Sequence, residues 1–210
     1  SFPALTTVGN TLYVGNEQSL TSIDFPLLAQ MGALTLYLDT QLTSAPFPSF
    51  DGVMSGDLEI GNCNALVDIS DLETATSVGG DLYFYADWNI PSLSFPYLTS
   101  VGAQLRMKSL SDLATAYFPA LGGVGSIHVE SCGSLPAIDL SSLTTVDGDL
   151  YISSNGDLAD ITSLYGITSV SEDLEITDNN DLPAQQADDL VTAIGLANIG
   201  GTVTISGNGP

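Results

Sequence analysis

The feature that most constrains this chain is a unit that returns about every 23 residues. It reads roughly F-P-x-L-x-x-V-G-x-x-L-x-I-x-x-N-x-x-L-x-x-I, with its clearest copies at Phe2 to Asp24, Phe47 to Ser70, Phe118 to Asp139 and Leu140 to Ile161. Numbering each copy by the first apolar residue of its L-x-I step gives Leu12, Leu36, Leu58, Leu82, Leu105, Ile127, Leu150, Leu174 and Val203. The intervals are 24, 22, 24, 23, 22, 23, 24 and 29 residues. So short a unit cannot bury its own apolar face. Each copy therefore gives one strand to a parallel sheet, coils once and returns to the next strand.

Strand alternation then fixes which side chains point inward. Leu12 and Val14, Leu58 and Ile60, and Leu150 and Ile152 face the core. Phe2, Leu5 and Val8 line the return half of the first copy, and Leu20 and Ile23 the turn beyond its strand; the phenylalanines and leucines stack into columns along the solenoid. Glycine often precedes the strand (Gly9, Gly56, Gly80, Gly102, Gly148), where a sharp bend would make a Cβ costly.

Five residues past each strand start lies a further column: Glu17, Gln41, Cys63, Asp87, Leu110, Cys132, Asn155, Asn179 and Asn208. An inward Asn or Cys at such a point bonds backbone groups freed by the turn. With the segments GDLEIGNCNAL, GDLYISSNGDL, EDLEITDNNDL and GTVTISGNG, the chain resembles the leucine-rich-repeat superfamily, and within it the receptor L-domain branch. That branch occurs in growth-factor-receptor ectodomains, fungal wall proteins and bacterial surface proteins. The resemblance spans nearly the whole chain and implies a mainly β, right-handed, single-domain solenoid over residues 1–210, of a bacterial secreted or cell-surface kind. Leu110 and Asp87 depart from the family's Asn. The motifs specify a scaffold and no activity.

The long last interval holds PAQQADDLVTAIGLA (Pro183 to Ala197), with Pro at a first helical position and Leu190, Val191 and Ile194 at helical spacing. The repeats thus occupy 1–182, and a capping helix with a last strand occupies 183–210. No leader precedes Ser1, and the repeat is already running at Phe2. Either the chain was cut from a longer one or its front end docks onto something, self-association included.

Asp and Glu number 25 and Lys and Arg only 2, for a net charge of −23. A chain so short of cations does not bind nucleic acid by phosphate neutralisation or anchor to an anionic membrane. No apolar stretch is long enough to span a bilayer. Cys63 and Cys132 share one phase three coils apart, roughly 14 Å at the spacing of neighbouring strands, beyond the reach of a disulfide. They read as buried thiols. Without C-x-x-C or H-E-x-x-H spacing, and with a single His, no zinc site is expected. Asp57, Asp81, Asp149 and Asp173 precede the L-x-I steps, with Glu59 and Glu175 two residues on. These outward carboxylates form a solvated acidic face or share a Ca²⁺ ion, although no D-x-D-x-D-G loop is present. No other cofactor is indicated.

The outward residues of successive strands centre on Tyr13, Tyr37, Glu59, Tyr83, Arg106, His128, Tyr151, Glu175 and Thr204, flanked by Tyr85, Lys108 and Glu130. Both basic residues, the only histidine and five of the eight tyrosines therefore fall on one face. Tyr and Arg are enriched at binding hot spots. Tyr rings also stack on sugar faces, and Arg and Lys bind carboxylate or sulfate. The plainer alternative is that Tyr simply suits strands and that Arg106 and Lys108 neutralise Asp81 and Glu130. Trp88, in the turn YADWNIP, covers the core or lines a rim of the face.

The candidate ligand-binding set is Tyr83, Tyr85, Arg106, Lys108, His128, Glu130 and Tyr151. The function expected is a noncatalytic extracellular recognition or adhesion module that binds a glycan or protein. The alternative is a structural subunit stacked end to end. A carbohydrate-active enzyme working through Glu59, Arg106 or His128 ranks lower, since acid–base catalysis needs groups converging in a cleft and no G-x-S-x-G motif is present. An ice-binding surface would need a flat array of Thr, which this face lacks.

Overall fold

Alternating apolar residues suit strands with one buried face, and turn residues on either side end each one. A computed structural model describes residues 1–87 and 89–210; Trp88 lies outside the described residues, and its sequence reading with it. Nine strands lie side by side in chain order: Thr7–Gly15, Gln30–Tyr37, Leu58–Gly61, Leu82–Tyr85, Ser100–Lys108, Gly123–Glu130, Leu150–Ser153, Leu174–Thr177 and Val203–Ser206. Each pairs in parallel with the next, forming the expected solenoid. We number the coils 1 to 9 by these strands.

One register differs from the repeat count. Leu12 pairs with Leu34, and Leu34 with Leu58, so coil 2 starts at Leu34 and not at Leu36. The segment MGALTLYLDT carries leucines at 34, 36 and 38, so alternation alone fits either phase. The column five residues on decides between them. From Leu34 it falls on Asp39, which is fully buried, while Gln41 is exposed. A slip of two residues preserves parity, so Tyr37 stays on the outer face.

The inward strand residues Leu34, Leu58, Leu82, Leu105, Ile127, Leu150 and Leu174 are completely enclosed. In the return arcs, Phe2, Phe25 and Phe47 stack with centroids 5.1 and 5.7 Å apart, and Phe95 stacks on Phe118 at 5.5 Å. The aromatic column does not run the full length. Leu72, six residues before Val78 as Phe95 is before Val101, takes the place between the two runs. Each enclosed ring contributes roughly 1.5–3 kcal/mol. A second parallel sheet of three short strands (Ser92–Ser94, Thr115–Tyr117, Ile138–Asp139) forms beyond the turns of coils 4 to 6.

Gly56, Gly80, Gly102 and Gly148 serve close approach of coils, not a bend. A Cβ on Gly102 would fall 2.2 Å from the carbonyl oxygen of Gly79, whereas one on Gly9 would meet nothing within 4 Å. The structure gives Gly9 no steric reason.

Helix α1 spans Ala184–Ile194 and buries Ala187, Leu190 and Ile194, with Pro183 at its N-cap rather than inside its first turn. The Ile161 N–H donates to Gln186 Oε1 at 3.0 Å, and Gln186 Nε2 donates to the Ala159 carbonyl at 3.0 Å. Because α1 lies between the strands of coils 8 and 9, it forms the return arc of the last coil. Val203 and Ile205 beyond it are half-buried, like Leu12 and Val14 in coil 1.

Candidate functional site

The outer face is only as regular as the register beneath it, and that register is fixed where each strand ends. Four residues past every strand start the backbone is left-handed: Asn16, Leu38, Asn62, Ala86, Ser109, Ser131, Ser154 and Asp178 have φ between 53° and 64°, and Gly207 has 66°. For a non-glycine residue this costs about 1–2 kcal/mol. The turn redirects the following residue inward, and Asp39, Cys63, Asp87, Leu110, Cys132, Asn155 and Asn179 are fully buried there.

These side chains bind one coil to the next. The Glu17 N–H donates to Asp39 Oδ1 at 2.8 Å, Cys132 N–H to Asn155 Oδ1 at 2.9 Å, and Asn155 N–H to Asn179 Oδ1 at 3.0 Å. The Cys63 N–H donates to Asp87 Oδ1 in the same way. The Cys63 thiol donates to the Gly61 carbonyl at 3.5 Å. Asp87, a departure by sequence, is therefore a working rung; Leu110, with no polar side-chain atom, is the true gap. Burial pushes the Cys63 thiol up to about 12 and Cys132 to about 11, and neither forms a disulfide.

With the spine in register, the face assembles as the alternation predicts. Tyr83 pairs with Arg106, Arg106 with His128 and His128 with Tyr151, while Tyr85, Lys108 and Glu130 pair two residues further on. Leu105 and Met107 are fully enclosed beneath Arg106. The structure thus brings all seven candidate residues together on coils 4 to 7, each half-buried. Tyr37 joins them, its ring 6.1 Å from that of Tyr85.

Their contacts divide the cations into two kinds. Lys108 Nζ is paired with Glu130 Oε2 at 2.9 Å. Arg106 lies over the Tyr83 ring at 4.8 Å, and no carboxylate among the described residues comes within ion-pair distance of it. His128 packs on Tyr151 at 5.4 Å, with Nε2 3.9 Å from Asp149 Oδ2. Burial first, and Arg106 second, hold the His128 pKa below its ordinary value, which keeps the imidazole neutral near pH 7. Burial and the Glu59 carboxylate raise the Tyr85 phenol.

The outward aspartates have a backbone role that the sequence reading missed. Asp57 Oδ1 accepts the Asp81 N–H at 2.8 Å, Asp81 Oδ1 the Gln104 N–H at 2.9 Å, Asp149 Oδ1 the Asp173 N–H at 3.0 Å, and Asp173 Oδ1 the Thr202 N–H at 2.6 Å. They form a second ladder along the outside of the sheet. Among the described residues no group of three or more His, Cys, Asp or Glu side chains is placed to hold a metal ion. No helix among them is long and apolar enough to cross a membrane.

Gly61 was also missed. Tyr85 lies directly across it, so that a Cβ there would fall 2.2 to 2.6 Å from three ring atoms. An open groove of about 360 Å³, bordered by Tyr117, Asp139 and Asp160, lies away from this face on the second sheet.

Protein ecm33 of Aspergillus fumigatus is 29% identical to this chain over 127 residues, which make up 60% of the chain and 31% of that protein. The chain thus matches less than a third of the relative's length. No protein-family model and no solved structure matches it. The relative is fungal, and nothing supports the bacterial branch that the sequence resemblance pointed to.

Proposed function

We propose that the chain is a noncatalytic recognition module displayed outside the cell, which holds a glycan or protein partner on the open face of its parallel sheet. One observation carries this reading: a chain of net charge −23 gathers its Arg, its Lys and its His on two adjacent strands, bordered by Tyr37, Tyr83, Tyr85 and Tyr151. Rigid aromatic side chains give broad contact at small entropic cost, and an arginine among them adds directional hydrogen bonding. The partial match to a fungal protein and the resemblance to surface-displayed L-domains support an extracellular setting.

The arrangement favours binding over catalysis. Lys108 is neutralised by Glu130, one oxygen of each ladder aspartate is held by a backbone N–H, and the candidate residues lie along an open sheet. General acid–base chemistry needs groups converging on a sequestered atom. Binding of the wild type and of Arg106→Ala/Tyr83→Ala to glycan arrays and to intact cells tests the proposal. The double variant is expected to lose binding while keeping its fold; equal binding by both proteins contradicts the assignment.

A further inference from the structure

We infer that the group Arg106 awaits on this face is the carboxylate of an acidic sugar within an otherwise uncharged saccharide chain. The inference rests on the recognition reading above and names its ligand. It begins with a stack. Tyr85 lies across Gly61, Tyr83 stacks on Tyr85 with centroids 4.4 Å apart and planes 20° from parallel, and the Arg106 guanidinium lies over Tyr83 at 4.8 Å. A strand glycine without a ring on it gives up side-chain packing. Here the missing Cβ is what lets Tyr85 lie down and the stack form.

The stack holds the guanidinium by its flat face and leaves its hydrogen-bonding edge uncommitted. Arg106 Nε is buried with no hydrogen-bond partner among the described residues, its two Nη groups donate to none of them, and no carboxylate there pairs with Arg106. That is unexpected in a chain with 25 acidic residues, where Lys108 two positions away is already paired. The Nη1–Nη2 end of such a guanidinium matches a carboxylate in two parallel hydrogen bonds.

The surroundings choose the rest of the ligand. Tyr37, Tyr85 and Tyr83 on coils 2 and 4, and His128 and Tyr151 on coils 6 and 7, form a row along the solenoid axis with Arg106 between. Pyranose rings present apolar C–H faces to such rings and hydroxyls to the Glu59 and Glu130 carboxylates. An extended chain following the axis meets one coil about every 4.8 Å. A densely charged polyanion or an acidic protein surface would instead meet the repulsion of the −23 body.

Calorimetric titration with oligogalacturonate in a fully methyl-esterified form and in one with a single ester removed tests this, because the two share a backbone and differ in one free carboxylate. The form with one free carboxylate should bind on the order of tenfold or more tightly, as expected for a charge-assisted hydrogen bond. Arg106→Ala should bring both forms to the weaker level, Arg106→Lys should restore part of the difference, and Tyr97→Ala, off this face, should change nothing. Equal binding of the two forms, or a difference that survives Arg106→Ala, overturns the inference. If Tyr83→Ala then still abolishes binding, the recognition reading stands without it. An acidic peptide captured through Arg106 while neither saccharide binds overturns the inference in the same way.

Discussion

The carboxyl group of Asp87 on coil 4 accepts the backbone N–H of Cys63 on coil 3 through Oδ1, and its Oδ2 is buried with no hydrogen-bond partner among the described residues. In the same column Asn179 uses its amide nitrogen to donate to the carbonyls of Ile152 and Thr177, both at 3.0 Å. An aspartate fills that position best as a neutral acid. Burial pushes Asp87 up to about 7, opposed by the Cys63 N–H, and Asp39, buried in the same column beside Glu17, is raised as well.

The pH dependence follows. With the folded value raised from 3.8 to about 7, the folded chain keeps a proton that the unfolded chain has released. Stability is full below about pH 4 and is lost as pH rises toward 7, by up to roughly 4 kcal/mol for Asp87. Thermal unfolding between pH 4 and 8 should show Tm falling with pH, and Asp87→Asn should be the more stable protein at pH 8. Parallel curves for the two proteins would contradict the neutral-acid assignment.

Asn179 anchors three coils at once: it accepts from the Asn155 N–H at 3.0 Å, donates to Ile152 and Thr177, and donates to Asn208 Oδ1 at 3.1 Å. Asn179→Ala strands several buried backbone groups and should cost about 3 kcal/mol or more in urea unfolding. Asn208→Ala, at a half-buried site, should cost less.

Gly102→Ala forces a Cβ to within 2.2 Å of a backbone oxygen, with no flexible side chain to give way. A loss of about 2 kcal/mol or more is expected, against a change within about 0.5 kcal/mol for Gly9→Ala. Chemical denaturation of the two variants checks both values.

With thiol pKa values of about 12 and 11, Cys63 and Cys132 are almost wholly protonated at pH 8. Alkylation of the native protein at that pH should be slower than that of the urea-unfolded protein by a factor on the order of 100 or more.

The solenoid and its outer face were legible because both depend on short-range periodicity: Arg106 must face outward if Leu105 and Met107 face inward. Coil 2 was misplaced because three alternating leucines carry no phase, and only the depth of Asp39 supplies one. The left-handed residues were hidden for a different reason. Leu38 and Ala86 have no intrinsic preference for positive φ, and the spine beyond them imposes it. The seat of Tyr85 on Gly61 joins two coils, so no single copy of the repeat displays it.

Tyrosine-directed nitration, mapped by mass spectrometry with and without a bound partner, tests the recognition face most directly. Tyr37, Tyr83, Tyr85 and Tyr151 should be protected, while Tyr97 and Tyr117, 64% and 40% exposed elsewhere, should react unchanged. Protection of Tyr97 and Tyr117 with the four sheet tyrosines still reactive would place the partner elsewhere and contradict the account.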